Sequence, residues 1–337
     1  MRNVAMSVGV GLALTAGSAV AGPPVERHID PDAKWVMHLD LDAVDSTKIG
    51  DFLMEMIVDE ADDFEEIQEI IPGFWPGPEA GIFGFTVYGT SLDVEGGDGA
   101  KDVCAIIYGN DQIAGWGRRI EQVAEHEGIE DKIKTREIHG CDVWSIPMDD
   151  GGRVYVGKVQ KRGKVAWVFS FDSNRIERSL EIISEGGKTE LLPRDGWRDG
   201  TIAYFSTSTL DGLDIDDHAS RVIGGAKSVR VRIGEADGEA YLQAALDTGD
   251  TEHADKIRNI AQGLLAIGQL MAGEDEELAV VMEVARDLEI DTSGSTVLFG
   301  LTHDADDVIG FLEEAIEADV GDIKVNLGDD EDDDEAW

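Results

Sequence analysis

The sequence predicts an α+β fold made of two tandem related units, each running β-α-β-β-α…β-α and each with a largely antiparallel sheet. Strand-like and helix-like patterns alternate along the chain, and many strand-like runs follow one another directly. Both halves also end in a β-rich run that passes into a capped helix. Adjacent antiparallel strands favour α+β over a doubly wound parallel sheet. We expect each unit to be a variant of the ferredoxin-like fold, and the two units can form one continuous structure.

The first predicted unit covers residues 25–186. It opens with an alternating strand at 34–42, followed by an amphipathic helix at 46–71 and a hairpin of strands 81–90 and 102–109. A helix at 112–127 comes next, then three further strands at 134–138, 141–146 and 154–159. A β-rich run at 165–171 leads into the last helix of the unit. Asp172 caps this helix, whose apolar residues recur at helical spacing.

The second predicted unit covers residues 201–320, after a linker at 187–200. It has a strand at 201–209 and a hairpin of strands 227–234 and 239–247, whose loop contains the turn pair Asp237-Gly238. Helices at 251–271 and 275–288 follow, then a strand at 296–302 and a helix capped by Asp304. Matching element orders predict an internal duplication with a period of roughly 165 residues.

Residues 1–21 have the pattern of a secretory signal peptide. Arg2 precedes a short apolar run, and Ala19 and Ala21 provide the small residues of a cleavage site. The apolar run is shorter than the ~20 residues that a membrane-spanning helix needs. We therefore expect a mature chain that begins at Gly22 and is soluble in the periplasm or outside the cell.

The chain is strongly acidic, with 71 Asp and Glu against 28 Lys and Arg and a formal net charge of −43. Nucleic acids and anionic membrane surfaces bind through clusters of Lys and Arg, so this charge excludes both as partners. Divalent cations and basic protein surfaces are the partners that it favours. The alternative is that the charge keeps an exported protein soluble in a saline habitat, where salt screens its self-repulsion. Residues 328–337 include seven consecutive carboxylates and are predicted to be a disordered acidic tail.

Cys104 and Cys141 are the chain's two cysteines, each in or at the start of a predicted strand. Export permits a disulfide between them. Two small apolar residues of the core would give the same pattern, so the sequence leaves both possibilities open.

The first candidate metal site consists of His38, Asp40 and Asp42. Alternation along the predicted strand places all three on one face, where an imidazole and two carboxylates could bind a divalent cation. This grouping is the basis for an alternative function as a metal-dependent hydrolase, with His139 or His303 brought close by folding. The other explanation is a solvated strand face, which alternation alone produces.

The second candidate metal site consists of Asp93, Glu95 and Asp98, which alternate with glycines in a predicted hairpin loop. Such a loop can wrap Ca²⁺, although its spacing differs from that of an EF-hand. It supports an alternative function as a calcium-binding secreted protein. A solvated loop is the simpler explanation. Apart from such a divalent cation, the sequence predicts no cofactor.

None of the catalytic motifs that we compared with the sequence matches it completely. Gly186-Gly187-Lys188-Thr189 lacks the first glycine of a phosphate-binding loop and follows a helix instead of preceding one.

The segment from Ala33 to Asp40, together with the duplicated strand-helix units, resembles a loose family of uncharacterised secreted bacterial proteins. That resemblance implies no activity and no site residues. The leading expectation is a non-enzymatic binding or structural role at the cell envelope.

Overall fold

The computed structural model describes residues 22–60, 80–92, 99–126, 128–148, 151–161, 163–193, 197–210, 226–272, 282 and 284–317, with the backbone alone for 57–60 and 314–317. The predicted signal peptide, the loop of the second candidate metal site and the acidic tail lie outside these residues.

Twelve strands form one sheet in which every pair of neighbours is antiparallel. The order across the sheet is β11-β12-β10-β9-β8-β1-β2-β3-β7-β6-β5-β4. The strands are β1 (Trp35–Asp40), β2 (Ile82–Gly89), β3 (Val103–Asn110), β4 (Lys134–Ile138), β5 (Cys141–Pro147), β6 (Arg153–Lys161), β7 (Lys164–Ser170), β8 (Thr201–Thr207), β9 (Ser228–Ala236), β10 (Glu239–Asp247), β11 (Glu289–Ser293) and β12 (Thr296–Asp304).

The α-helices among the described residues are α1 (Leu41–Asp45), α2 (Lys48–Glu60), α3 (Trp116–His126), α4 (Ser173–Glu185), α5 (Thr251–Met271) and α6 (Ala305–Glu317). Four of them are capped by the aspartate that directly precedes them. Asp40, Asp172, Asp250 and Asp304 accept backbone N–H groups at the first turns of α1, α4, α5 and α6. None of the helices in the described ranges is both long and apolar enough to cross a membrane. The mixed α+β class predicted from the sequence is confirmed.

Alternation along the strands gives the sheet two faces. The upper face carries Val36, Tyr88 and Ile106, and α4 packs on it through Ile176 and Leu180. The lower face carries Phe85, Ile107, Trp167 and Val297, among others. Helices α1, α2 and α6 pack against one core on this lower face, and α5 packs against a separate, smaller core built on β9, β10 and β12.

The upper face also contains a buried ion pair that attaches the N-terminal segment to α4. Nη1 of Arg175 lies 2.7 Å from Oδ2 of Asp30, and both side chains are almost inaccessible. The hydroxyl of Tyr88 lies 3.1 Å from that of Ser179 on the same helix. Residues 187–193, the first part of the predicted linker 187–200, lie against this face, where Leu191 is buried and its carbonyl accepts a hydrogen bond from Tyr204.

The turn between β9 and β10 confirms the Asp-Gly hairpin signal. Asp237 and Gly238 have φ angles of 56° and 82°, as the two central residues of a type I′ turn require. The predicted strand at 34–42 extends two residues too far at its C-terminal end, because the chain turns into α1 at Leu41. The edge strand β11 was not predicted.

Candidate functional site

His38 lies on the upper face of β1 and is buried. Its Nδ1 is 2.8 Å from the hydroxyl oxygen of Thr86, and its Nε2 is 3.2 Å from the carbonyl oxygen of Gly22. Burial lowers the pKa of His38 to about 4, although backbone hydrogen bonds to Gly22 and Phe85 act in the opposite direction. Gly84 leaves room for the ring, since a Cβ there would lie 3.2 Å from Cε1 of His38. A neutral imidazole with both nitrogens hydrogen-bonded to the protein is thus part of the core.

Asp40 ends β1 and caps α1. Its Oδ1 accepts the backbone N–H groups of Asp42 and Ala43, each at 3.2 Å. Burial raises the pKa of Asp40 to about 6, the nearby Asp42 adds to this, and the two backbone hydrogen bonds oppose it. Asp42 lies in α1 and not on the strand, so placing it on one strand face with His38 and Asp40 was wrong.

The two histidines considered as additional ligands lie far from His38 in the sheet. His303 is on β12, four strands away, and His139 is in the turn between β4 and β5. His303 instead contacts Asp287 and Asp307, with nitrogen–oxygen distances of 3.3 and 3.7 Å. In the part of the chain that the structure describes, no three His, Cys, Asp or Glu residues are grouped to hold a metal ion. Asp93, Glu95 and Asp98 lie outside that part.

Both cysteines are free thiols. Cys104 is buried on β3 and Cys141 is partly exposed on β5, and burial raises the pKa of each thiol. Strands β7 and β6 lie between β3 and β5. At ~4.8 Å per strand step, that separation is well beyond the ~7 Å between Cα atoms that a disulfide tolerates.

The C-terminal two-thirds of α5 present the largest group of exposed apolar side chains in the described chain. Ile257, on the sheet side, is buried. The exposed fractions are 43% for Ile260, 63% for Leu264, 55% for Ile267, 79% for Leu270 and 57% for Met271. We call these five residues the α5 patch.

An apolar groove lies beside the α5 patch, between the helix and the lower face of the sheet. Its volume is about 280 Å³, and its wall contains no polar side chain. Ile260 and Leu264 belong to both the patch and the groove. The lining residues are Val229, Ala244, Ala245, Leu246, Ile257, Ile260, Ala261, Leu264 and Phe299. Ile233, at 40% exposed, extends the apolar surface along β9.

The α5 patch is also free of charge. No Asp, Glu, Lys or Arg occurs from residue 259 to residue 273, the longest uncharged run after residue 25 of a chain with a net charge of −43. Exposed apolar groups in contiguous patches mark interaction sites more often than single ones do. The patch and its groove can therefore accept an apolar partner surface without burying a charge, which would be costly.

Sequence reasoning predicted this helix but missed its surface. The signal was present in two features. The apolar residues 257, 260, 264, 267 and 271 alternate in steps of three and four, and the same stretch lacks charge. What the sequence could not show is that only the first of these residues is covered by the sheet.

Comparisons with known proteins add no function. No family model matches the chain, and no curated protein matches it. Crystal form III of TP0453 aligns over 87% of this chain and 98% of its own, with 10% identity and a TM-score of 0.47. Crystal form I gives 9% identity and a TM-score of 0.45, over 88% and 98%. The fused permuted hexameric shell protein MSM0275 from the RMM microcompartment aligns over 55% of this chain and 85% of its own, with 14% identity and a TM-score of 0.11. At these scores the likenesses support no argument about what this chain does.

Proposed function

We propose that this protein is an exported, non-enzymatic binding protein of the cell envelope, and that the α5 patch with its groove is the binding surface. One observation carries the proposal: an uncharged, apolar helix surface lies exposed beside an apolar groove on an otherwise acidic chain. Apolar surface in contact with water costs about 25 cal/mol per Å². A partner that covers the patch removes this cost, and the same free energy therefore stabilises the complex.

The export part of the proposal rests on the sequence of residues 1–21. Gly22, the expected first residue of the mature chain, contributes its carbonyl to the buried His38. Intact-mass measurement of the exported protein tests this expectation, and a mass that includes residues 1–21 contradicts it.

The non-enzymatic part of the proposal is supported by how the candidate catalytic residues are used. Both ring nitrogens of His38 form hydrogen bonds within the core. The carboxylate of Asp40 accepts the backbone N–H groups that begin α1. Neither side chain has an accessible face towards which a substrate could approach, since both are buried.

A duplication of the two halves is also part of our proposal. Its support is the sheet order, in which β1-β2-β3-β7 on one side corresponds to β8-β9-β10-β12 on the other. Helices α3 and α5 follow β3 and β10, and the first strands of the two halves, β1 and β8, pair directly with each other. The halves differ in two features. Helix α4 packs on the upper face, whereas α6 packs on the lower. Beyond β7 the first half has β6, β5 and β4, whereas the described residues of the second half have β11 alone beyond β12. The sequence predicts that 165–180 overlays 296–311; because α4 and α6 lie on opposite faces, we expect that overlay for the strands alone. Superposing residues 33–186 on 201–318 should place β7 on β12 within two residues, and a fit in which β7 and β12 do not coincide contradicts the duplication.

Nile red, a neutral dye that fluoresces in apolar surroundings, tests the binding surface. The dye should bind the wild-type chain, and Leu264→Glu and Ile267→Glu should each lose most of the fluorescence. Leu298→Glu is the matched control, because Leu298 is 39% exposed on β12, where strand alternation points it to the upper face, away from the groove. Circular dichroism checks that each variant is folded. Equal dye uptake by folded Leu264→Glu and wild type would show that the α5 patch is not the binding surface.

A further inference from the structure

Four residues of the α5 patch, together with Ile257, have the spacing of a coiled-coil seam. Ile257, Ile260, Leu264, Ile267 and Met271 follow one another in steps of three, four, three and four, which places them along one stripe of a helix. Ile257 packs on the sheet, and the remaining residues of the stripe are exposed. A stripe of this kind fits a second helix laid along it.

Charge decides which kind of helix fits. A cationic partner would gain from carboxylates beside the stripe, but residues 259–273 contain none. The charged residues of α5, such as Glu252, Asp255 and Lys256, all lie in its first two turns. The stripe therefore matches an uncharged apolar helix, and α5 itself is such a helix.

We propose that the α5 patch binds a second copy of this chain, with the two α5 helices antiparallel about a two-fold axis between Leu264 and Ile267. This inference rests on the proposed function of the patch. The two-fold makes the contact self-complementary, so that Leu264 of one copy faces Ile267 of the other.

The exposed area of the patch supplies roughly three-quarters of what a dimer interface of standard size requires. The five side chains of the patch offer on the order of 600 Å² of apolar surface per chain, against about 800 Å² per partner in a stable interface of standard size. The rim of the groove and Ile233 supply further apolar area beside it. Antiparallel pairing also opposes the two helix dipoles, whereas parallel pairing would align them.

Sedimentation equilibrium of the purified mature chain tests the proposal. We expect a concentration-dependent mass that reaches twice the chain mass, at lower concentration in 1 M NaCl than in 0.1 M, because salt screens the repulsion between two acidic chains. Leu264→Glu/Ile267→Glu should remain monomeric, and Leu298→Glu should dimerise like the wild type.

A charge-swap experiment makes the test independent of folding defects. Leu264→Lys/Ile267→Lys should be monomeric alone, yet it should form a heterodimer when mixed with Leu264→Glu/Ile267→Glu, since antiparallel pairing places the opposite charges face to face. A wild-type mass that stays at one chain up to 100 µM in 1 M NaCl would overturn the second copy as the occupant. Dimers that survive the double Glu change would overturn it as well. If the wild-type chain is monomeric but binds Nile red, and Leu264→Glu abolishes that binding, the proposed binding surface stands and only its occupant is wrong.

Discussion

At the scale of single residues, Asp40 carries a measurable electrostatic cost. Its pKa is raised from 3.8 to about 6 by burial, so protonation favours the folded state. The stabilisation from the proton is full below pH 3.8 and is lost as the pH rises through 6, where the folded protein holds a buried carboxylate. The cap itself needs only an oxygen acceptor for the backbone N–H groups of Asp42 and Ala43.

Asp40→Asn should therefore stabilise the protein at pH 8 by about 2 kcal/mol and have little effect at pH 4. The amide oxygen keeps the cap and removes the charge. Urea unfolding of variant and wild type at the two pH values measures the difference. His28 and His38, whose pKa values burial lowers to about 4, destabilise the fold as the pH falls from 6.5 towards 4. Both histidines are present in the variant and in the wild type, so their contribution to the free energy of unfolding cancels when the two proteins are compared. A variant that is less stable than wild type at pH 8 would contradict this assignment.

The sequence predicted part of this residue-level arrangement. Alternation correctly placed His38 and Asp40 on one face of β1. It failed at Asp42 because the strand ends at Asp40, which caps α1. An aspartate can occupy a strand or a helix cap, so the pattern alone does not show where the strand ends and the helix begins. It also could not show that Thr86 and Gly22 would occupy the two ring nitrogens, since these contacts arise only from the fold.

At the scale of elements, α2 is held by a residue far away in the chain. The carboxylate of Glu235 on β9 accepts the backbone N–H of Ile49 at 2.9 Å, where α2 begins. Glu235 is itself buried. A negative charge at a helix N-terminus satisfies a free N–H group and interacts favourably with the helix dipole.

Glu235→Ala should lower the free energy of unfolding by about 1–2 kcal/mol, because it leaves this N–H unpaired in a buried place. Glu235→Gln keeps an acceptor and should cost less. Asp306→Ala, which removes an exposed ion pair from Lys48 to α6, is the control and should change stability less than Glu235→Ala does, because exposed ion pairs contribute little. Chemical unfolding of the three variants gives the order. An effect of Glu235→Ala no larger than that of Asp306→Ala would refute the capping role.

Most elements could be predicted from local patterns, and the exceptions have physical reasons. The five-residue edge strand β11 has a single apolar residue, Ile290, so its alternation gives almost no signal. For α5 the pattern predicted the helix correctly, but which part of the stripe the sheet covers depends on how β9, β10 and β12 pair. Those pairings are set by residues distant in sequence.

At the scale of the whole molecule, pairing between β1 and β8 joins both halves into one sheet. The sequence left open whether there would be one sheet or two. The deciding contact links residues more than 160 positions apart, such as His38 and Tyr204, and no local pattern reports such a pairing. The net charge of −43, by contrast, can be read directly and applies to the molecule as a unit.

Stability should rise with NaCl, because the Debye length falls from about 10 Å at 0.1 M to about 3 Å at 1 M and self-repulsion is screened. KCl should act in the same way. Adding millimolar Ca²⁺ at fixed high NaCl should give only a small, unsaturable change. Thermal melts across these conditions provide the measurement. A saturable step that disappears in Asp93→Asn/Asp98→Asn would instead show specific calcium binding.

The binding role of the α5 patch is the central claim, and a photo-crosslinking scan along α5 in the cells that produce the protein tests it most directly. A photoreactive side chain is placed in turn at each position from 259 to 271. Crosslinked products should appear at Ile260, Leu264, Ile267 and Met271 and be weak at Asn259, Gln262, Ala266 and Gln269, giving a period of about 3.5 residues. Products of twice the chain mass would identify the partner as a second copy. Crosslinking that is absent from all positions, or equal around the helix, would contradict the account.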